Sequence, residues 1–86
     1  MDSYLVEVYL PQSSADAARA TAGRVRSAAE QLTREGVVVH YVRTTFLPDD
    51  ETCFHLFEAD SADAVEEVGR RAELSHARIV SYMPIE

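Results

Sequence analysis

The hydrophobic period of this chain changes along its length, and the order of those changes leaves few folds open. From Ser3 to Leu10, Tyr4, Val6, Val8 and Leu10 alternate with Leu5, Glu7 and Tyr9. A period of two is that of a strand, and Pro11 stops it because proline cannot donate to a ladder. Ser13 or Ser14 then offers a hydroxyl to cap a helix. The stripe Ala18, Ala22, Val25, Ala29, Leu32 follows at helical spacing, with Arg19, Arg24, Arg26 and Glu30 elsewhere on the cylinder. Gly36 closes that helix, since glycine tolerates the left-handed backbone there. Val37 to Phe46 is β-branched and aromatic and reads as a second strand. Leu47-Pro48-Asp49-Asp50-Glu51 is a turn, and Thr52 to Glu58 is a third strand paired to the second as a hairpin. A second helix begins at Asp60 or Ser61, with Val65, Val68 and Ala72 on its apolar side. Its early Glu66 and Glu67 and late Arg70 and Arg71 complement the helix dipole. The last strand spans about Ala77 to Met83, before Pro84.

The order is therefore β-α-β-β-α-β over a single domain, residues 1–86. Two interleaved right-handed β-α-β units predict an α+β, ferredoxin-like architecture: a four-stranded antiparallel sheet in the order 4-1-3-2, with both helices on one face. The opposite face is left open. A chain of 86 residues buries only a modest core, so self-association through that face is expected.

Fifteen acidic residues against eight basic ones leave a net charge of -7. Such a chain repels phosphate backbones, which argues against nucleic acid and anionic membranes as partners. No apolar run is long enough to span a membrane, and the start of the chain, with Glu7 in its apolar stretch, is a poor signal peptide. A lone Cys53 cannot form an internal disulfide. A cytoplasmic location is the expectation.

With Val6 and Val8 toward the helices, Leu5, Glu7 and Tyr9 belong to the open side. On the third strand, Phe54 and Leu56 are expected beneath the helices, leaving Cys53, His55 and Phe57 open. The second strand has two candidate open sets, His40-Val42-Thr44-Phe46 or Val39-Tyr41-Arg43-Thr45, with Tyr41 and Arg43 preferred. The fourth contributes Arg78, Val80 and Tyr82 or else Ile79, Ser81 and Met83. Each of these readings reverses with a one-residue slip. On this reckoning Glu7 and His55 sit on adjacent strands of one face. There a carboxylate could orient an imidazole for metal binding or general base chemistry, or form only a charged pair at an interface. Cys53 shares the face of His55 at i and i+2 and could join a soft-metal site, or be a small hydrophobe. His40 falls on the helix side or near the sheet edge. Asp49-Asp50-Glu51 lacks the ligand spacing of a calcium loop and reads as a solvated turn. No zinc signature, phosphate loop or nucleophile elbow is present.

Across nearly its whole length the chain resembles a family of small actinobacterial and other bacterial proteins, first catalogued as a domain of unknown function. Its best-known representative is a nickel-binding, ferredoxin-like homodimer. The resemblance rests on Tyr4-Leu5-Val6-Glu7-Val8-Tyr9-Leu10-Pro11, on Val39-His40-Tyr41-Val42-Arg43-Thr44-Thr45-Phe46 before the acidic turn, and on Phe54-His55-Leu56-Phe57-Glu58-Ala59 leading into a helix. Arg70-Arg71 and Arg78-Ile79-Val80 add to it. Relatives commonly have a cysteine where His55 stands, an arginine at Val8, a histidine at Val68, and Gly-Leu-Pro in place of Glu73-Leu74-Ser75. The resemblance implies a homodimer binding nickel or another divalent transition metal, with Glu7, His55, Cys53 and His40 as candidate ligands. Tyr9, Tyr41, Arg43 and Phe57 would line the same face. Two alternatives share that face. One is a small-molecule binder or enzyme of the dimeric monooxygenase, isomerase or cyclase type, with unknown catalytic residues; the other is a plain dimerisation module.

Overall fold

The computed structural model describes residues 1–11 and 14–85. The elements are β1 (Asp2–Tyr9), α1 (Ala15–Arg34), β2 (Val39–Leu47), a 3₁₀ turn (Pro48–Asp50), β3 (Thr52–Ala59), α2 (Ala62–Arg71) and β4 (Arg78–Tyr82). The strands form one antiparallel sheet in the order β2-β3-β1-β4, the expected order read from its other edge.

Local chemistry sets the helix ends. Ser14 caps α1 by accepting from the amide of Ala17 at 3.3 Å, and Ser61 caps α2 by accepting from Ala64 at 3.3 Å. Ser13, the other candidate cap, lies outside the described residues. Gly36 adopts φ +92° just past α1, where a side chain would be strained. The helix buries Ala18, Thr21, Val25, Ala28, Ala29 and Leu32. Thr21 is absent from the apolar stripe, yet its hydroxyl is satisfied by donating to the Ala17 carbonyl at 3.0 Å. Small residues on this face let α1 pack close, chiefly along β2, into one core with Tyr4, Val6, Val8, Val39 and Phe57, to which α2 adds Val65 and Val68. Arg24 donates to the Ala72 carbonyl at 3.1 Å, and Arg71 bridges Glu35 and Glu67, tying the two helices together. No helix of the described residues is long and apolar enough to cross a membrane.

Register overturns two expectations about facing, one on β3 and one on β2. On β3 it is Cys53, His55 and Phe57 that lie beneath the helices, each 0% exposed, while Phe54 and Leu56 are on the open side. Both sets of alternate residues contain large apolar groups, so hydrophobicity alone does not choose between them. Pairing does: Val6 opposes His55, Val8 opposes Cys53, and directly opposed residues share a face.

On β2 neither alternating set is realised. A β-bulge between Tyr41 and Arg43 leaves Val42 as the extra residue and changes the parity midway. Arg43, opposite Leu56, is open as expected. Tyr41 is not: it opposes Phe57 on the helix side and packs edge-on to that ring at 5.9 Å. On β4, Arg78 and Val80 oppose Glu7 and Leu5 and so belong to the open side with Tyr82.

Candidate functional site

The four expected metal ligands do not converge. Glu7 opposes Phe54 and Arg78 on the open face, whereas His55 opposes Val6 and Thr44 on the covered one. The sheet itself separates the carboxylate from the imidazole, so the Glu7–His55 pair is not formed. His40 stands opposite Glu58 on the open side, both exposed, one row beyond Arg43 and Leu56. Among the described residues no group of three or more His, Cys, Asp or Glu side chains could hold a metal ion. The donors of one chain alone therefore do not fit a nickel site, which needs at least three converging ligands.

Cys53 and His55 do stay together. The Cys53 Sγ lies 3.8 Å from His55 Nε2, and His55 Nδ1 lies 2.7 Å from Thr44 Oγ1. Thr44 Oγ1 is in turn 2.6 Å from the Tyr41 hydroxyl. Tyr41 and Thr44 are three residues apart and would face opposite ways in a regular strand; the Val42 bulge puts both on the covered side. The result is a polar line through an otherwise apolar layer, Cys53–His55–Thr44–Tyr41, with every buried side-chain polar atom among the described residues satisfied. Its direction can run either way. Cys53 can donate to Nε2 while Nδ1–H donates to Thr44, or Thr44 can donate to a bare Nδ1 while Nε2–H faces the sulfur.

The electrostatics of this line favour neutral groups. Burial, and secondarily the charge of Arg24, pushes His55 from its ordinary 6.5 to about 4. Burial also pushes the Cys53 thiol up. A neutral imidazole beside a protonated thiol is a poor nucleophile pair, since reactivity belongs to the thiolate. At neutral pH the line therefore holds a neutral imidazole between a protonated thiol and the Thr44 hydroxyl.

The open face has a different composition. Across the sheet run the rows Val80–Leu5–Leu56–Arg43 and Arg78–Glu7–Phe54–Thr45. Leu5, Phe54, Leu56 and Val80 are half-buried at its centre. Tyr9, at the end of β1, is 58% exposed. Of the expected ligand-face residues, Tyr9 and Arg43 are on this side, and Tyr41 and Phe57 are beneath the helices.

A cleft of ≈ 390 Å³ opens between α1 and the bulged β2. Ala15, Ala18 and Ala22 form its helical wall and Val42 and Phe46 its apolar strand side. Arg19, Arg26 and Arg43 rim it, and Tyr41 with Thr44 brings the buried polar line to its surface. Arg26 stacks over the Tyr41 ring at 5.5 Å. Sequence reading missed both Thr44 and Glu58. Glu58 follows from the hairpin register once known, whereas Thr44 depends on a bulge with no glycine to mark it.

Set against known proteins, the chain matches the family described as nickel responsive protein, SCO4226-like, over residues 4–81. Comparison with curated proteins gives no match.

Proposed function

The chain belongs to this nickel responsive family, and from that premise we propose that it is a non-enzymatic, cytoplasmic homodimer that meets nickel, or a similar divalent metal, with residues of both subunits. The open sheet face closes on a second copy, and His40 and Glu58 of each chain supply the imidazole and carboxylate. The observation that carries this reading is the cross-strand pairing of exposed His40 with exposed Glu58 on the open side. Imidazole suits nickel, and a two-fold axis doubles a two-donor pair to four. His55 is the weaker candidate, because it is buried and both ring nitrogens already have neighbours. The apolar centre of the face carries Glu7 on one side and Arg43 and Arg78 at its flanks. A face bearing both signs can oppose its own copy with acid against base.

Nickel titration by calorimetry, with sedimentation on the same samples, tests this. Expected are a dimer with about one metal per two chains and a loss of affinity of about tenfold or more in His40→Ala and in Glu58→Gln. His55→Gln should keep the binding heat. A silent wild type overturns the metal assignment. Binding lost in His55→Gln but kept in His40→Ala overturns its placement, and a monomeric wild type overturns the shared site.

A further inference from the structure

We infer that the cleft between α1 and β2 is a binding site for a small organic carboxylate with an apolar body. This goes beyond the metal reading and does not depend on it, since the cleft's wall and floor, from α1 and from Tyr41 and Thr44, lie on the covered side of the sheet and the His40–Glu58 pair stands on the open side; Arg43, at the sheet edge, only borders the cleft.

Charge makes the first argument. The chain is acidic overall at -7, yet three of its eight basic residues, Arg19, Arg26 and Arg43, rim this one cleft. No Asp or Glu is among its described lining residues. Arg19 bonds Asp16 at 2.9 Å, but both side chains are largely exposed and such a pair is weak and easily exchanged. Arg26, whose guanidinium lies over the Tyr41 ring, has no ion pair among the described residues. Concentrating guanidinium groups against the sign of the whole molecule creates a local well for an anion, and the guanidinium fork matches a carboxylate in bidentate geometry.

Shape makes the second. The volume of ≈ 390 Å³ lies within the range of small-molecule sites, and the alanines of α1 face Val42 and Phe46 across it. A bare inorganic anion would leave those walls wet, whereas an aliphatic or aromatic body would fill them. The third argument is the floor. Tyr41 and Thr44 both line the cleft, and their hydroxyls are already held by each other and, through Thr44, by His55, so an acceptor that meets them finds a preorganised donor.

The test uses phenylacetate and octanoate as probes, with phenylacetamide and inorganic phosphate as controls, on the full-length protein without added metal. Calorimetry and the NMR shifts of the His55 ring are followed. Expected are binding of the two carboxylates, at least about tenfold weaker binding of the amide and of phosphate, and movement of the His55 ring signals through Thr44. Arg26→Ala should weaken carboxylate binding about tenfold, and Ala22→Phe should abolish it by filling the cleft. A thermal melt of each variant separates occlusion from misfolding, and Arg26, exposed on α1, is replaceable without emptying the core. Absence of carboxylate binding overturns the proposal. So does equal binding of the amide or of phosphate, unchanged affinity in Arg26→Ala, or binding that leaves the His55 ring unmoved. Nickel binding lost in His40→Ala with carboxylate binding retained separates the two sites.

Discussion

The two faces of one sheet are built from neighbouring residues of the same strands, and they do different work. Beneath the helices, Phe57, His55 and Cys53 have no exposure, and even the polar atoms are satisfied internally. One residue away on the same strand, Phe54 and Leu56 stand half-buried on a face that no described element covers. Residue type does not distinguish the faces, since each holds a phenylalanine and other apolar groups. The difference lies in what opposes them. The covered face is a core whose contacts exist in the single chain, whereas the side chains at the centre of the open face stay half-exposed.

The largest effect should separate the two phenylalanines. Phe57→Ala empties a fully buried site and should cost about 3–5 kcal/mol, whereas Phe54→Ala should cost the isolated chain less than about 1 kcal/mol. Urea denaturation at low protein concentration measures both, and equal losses would break the distinction between the faces. Next comes pH. The folded state holds His55 near 4 while the unfolded chain has the ordinary 6.5, so on acidification the unfolded state takes up the proton first. Stability should be full above about pH 6.5 and should fall by about 2 kcal/mol between pH 7 and pH 5, continuing to fall until the folded-state value near 4 is passed. His55→Asn should lose that slope; the other two histidines are exposed. A pH-independent wild type over this window would mean that His55 is not held neutral by burial. The smallest contrast is between adjacent threonines. Thr44→Val removes the partner of His55 Nδ1 and of the Tyr41 hydroxyl and should cost about 1–2 kcal/mol. Thr45→Val, opposite Phe54 on the open side, should change stability by no more than about 0.5 kcal/mol in urea melts.

Much of the architecture was legible before any coordinates. The two serine caps, the Gly36 stop, the acidic turn and the sequence of periods each rest on interactions within a few residues, and those survive in the fold. The candidate site was much less legible. Cys53, His55 and Phe57 alternate cleanly, but so do Phe54 and Leu56, and assigning the wrong set outward joined Glu7 to His55 across a sheet that in fact divides them. Val42 carries no glycine or proline to announce a bulge, so the meeting of Tyr41 with Thr44 was invisible.

What the amino-acid order determined by itself was the kind, number and succession of elements, because propensity, capping and period act over one or two turns of chain. Which face each side chain joins was decided by tertiary pairing. Register depends on β1 contacting β3 across some fifty intervening residues, and a shift of a single residue, or one bulge, inverts every assignment that follows. That long-range choice put His55 into the dry interior, left His40 and Glu58 side by side in the open, and shaped the arginine-rimmed cleft beside α1.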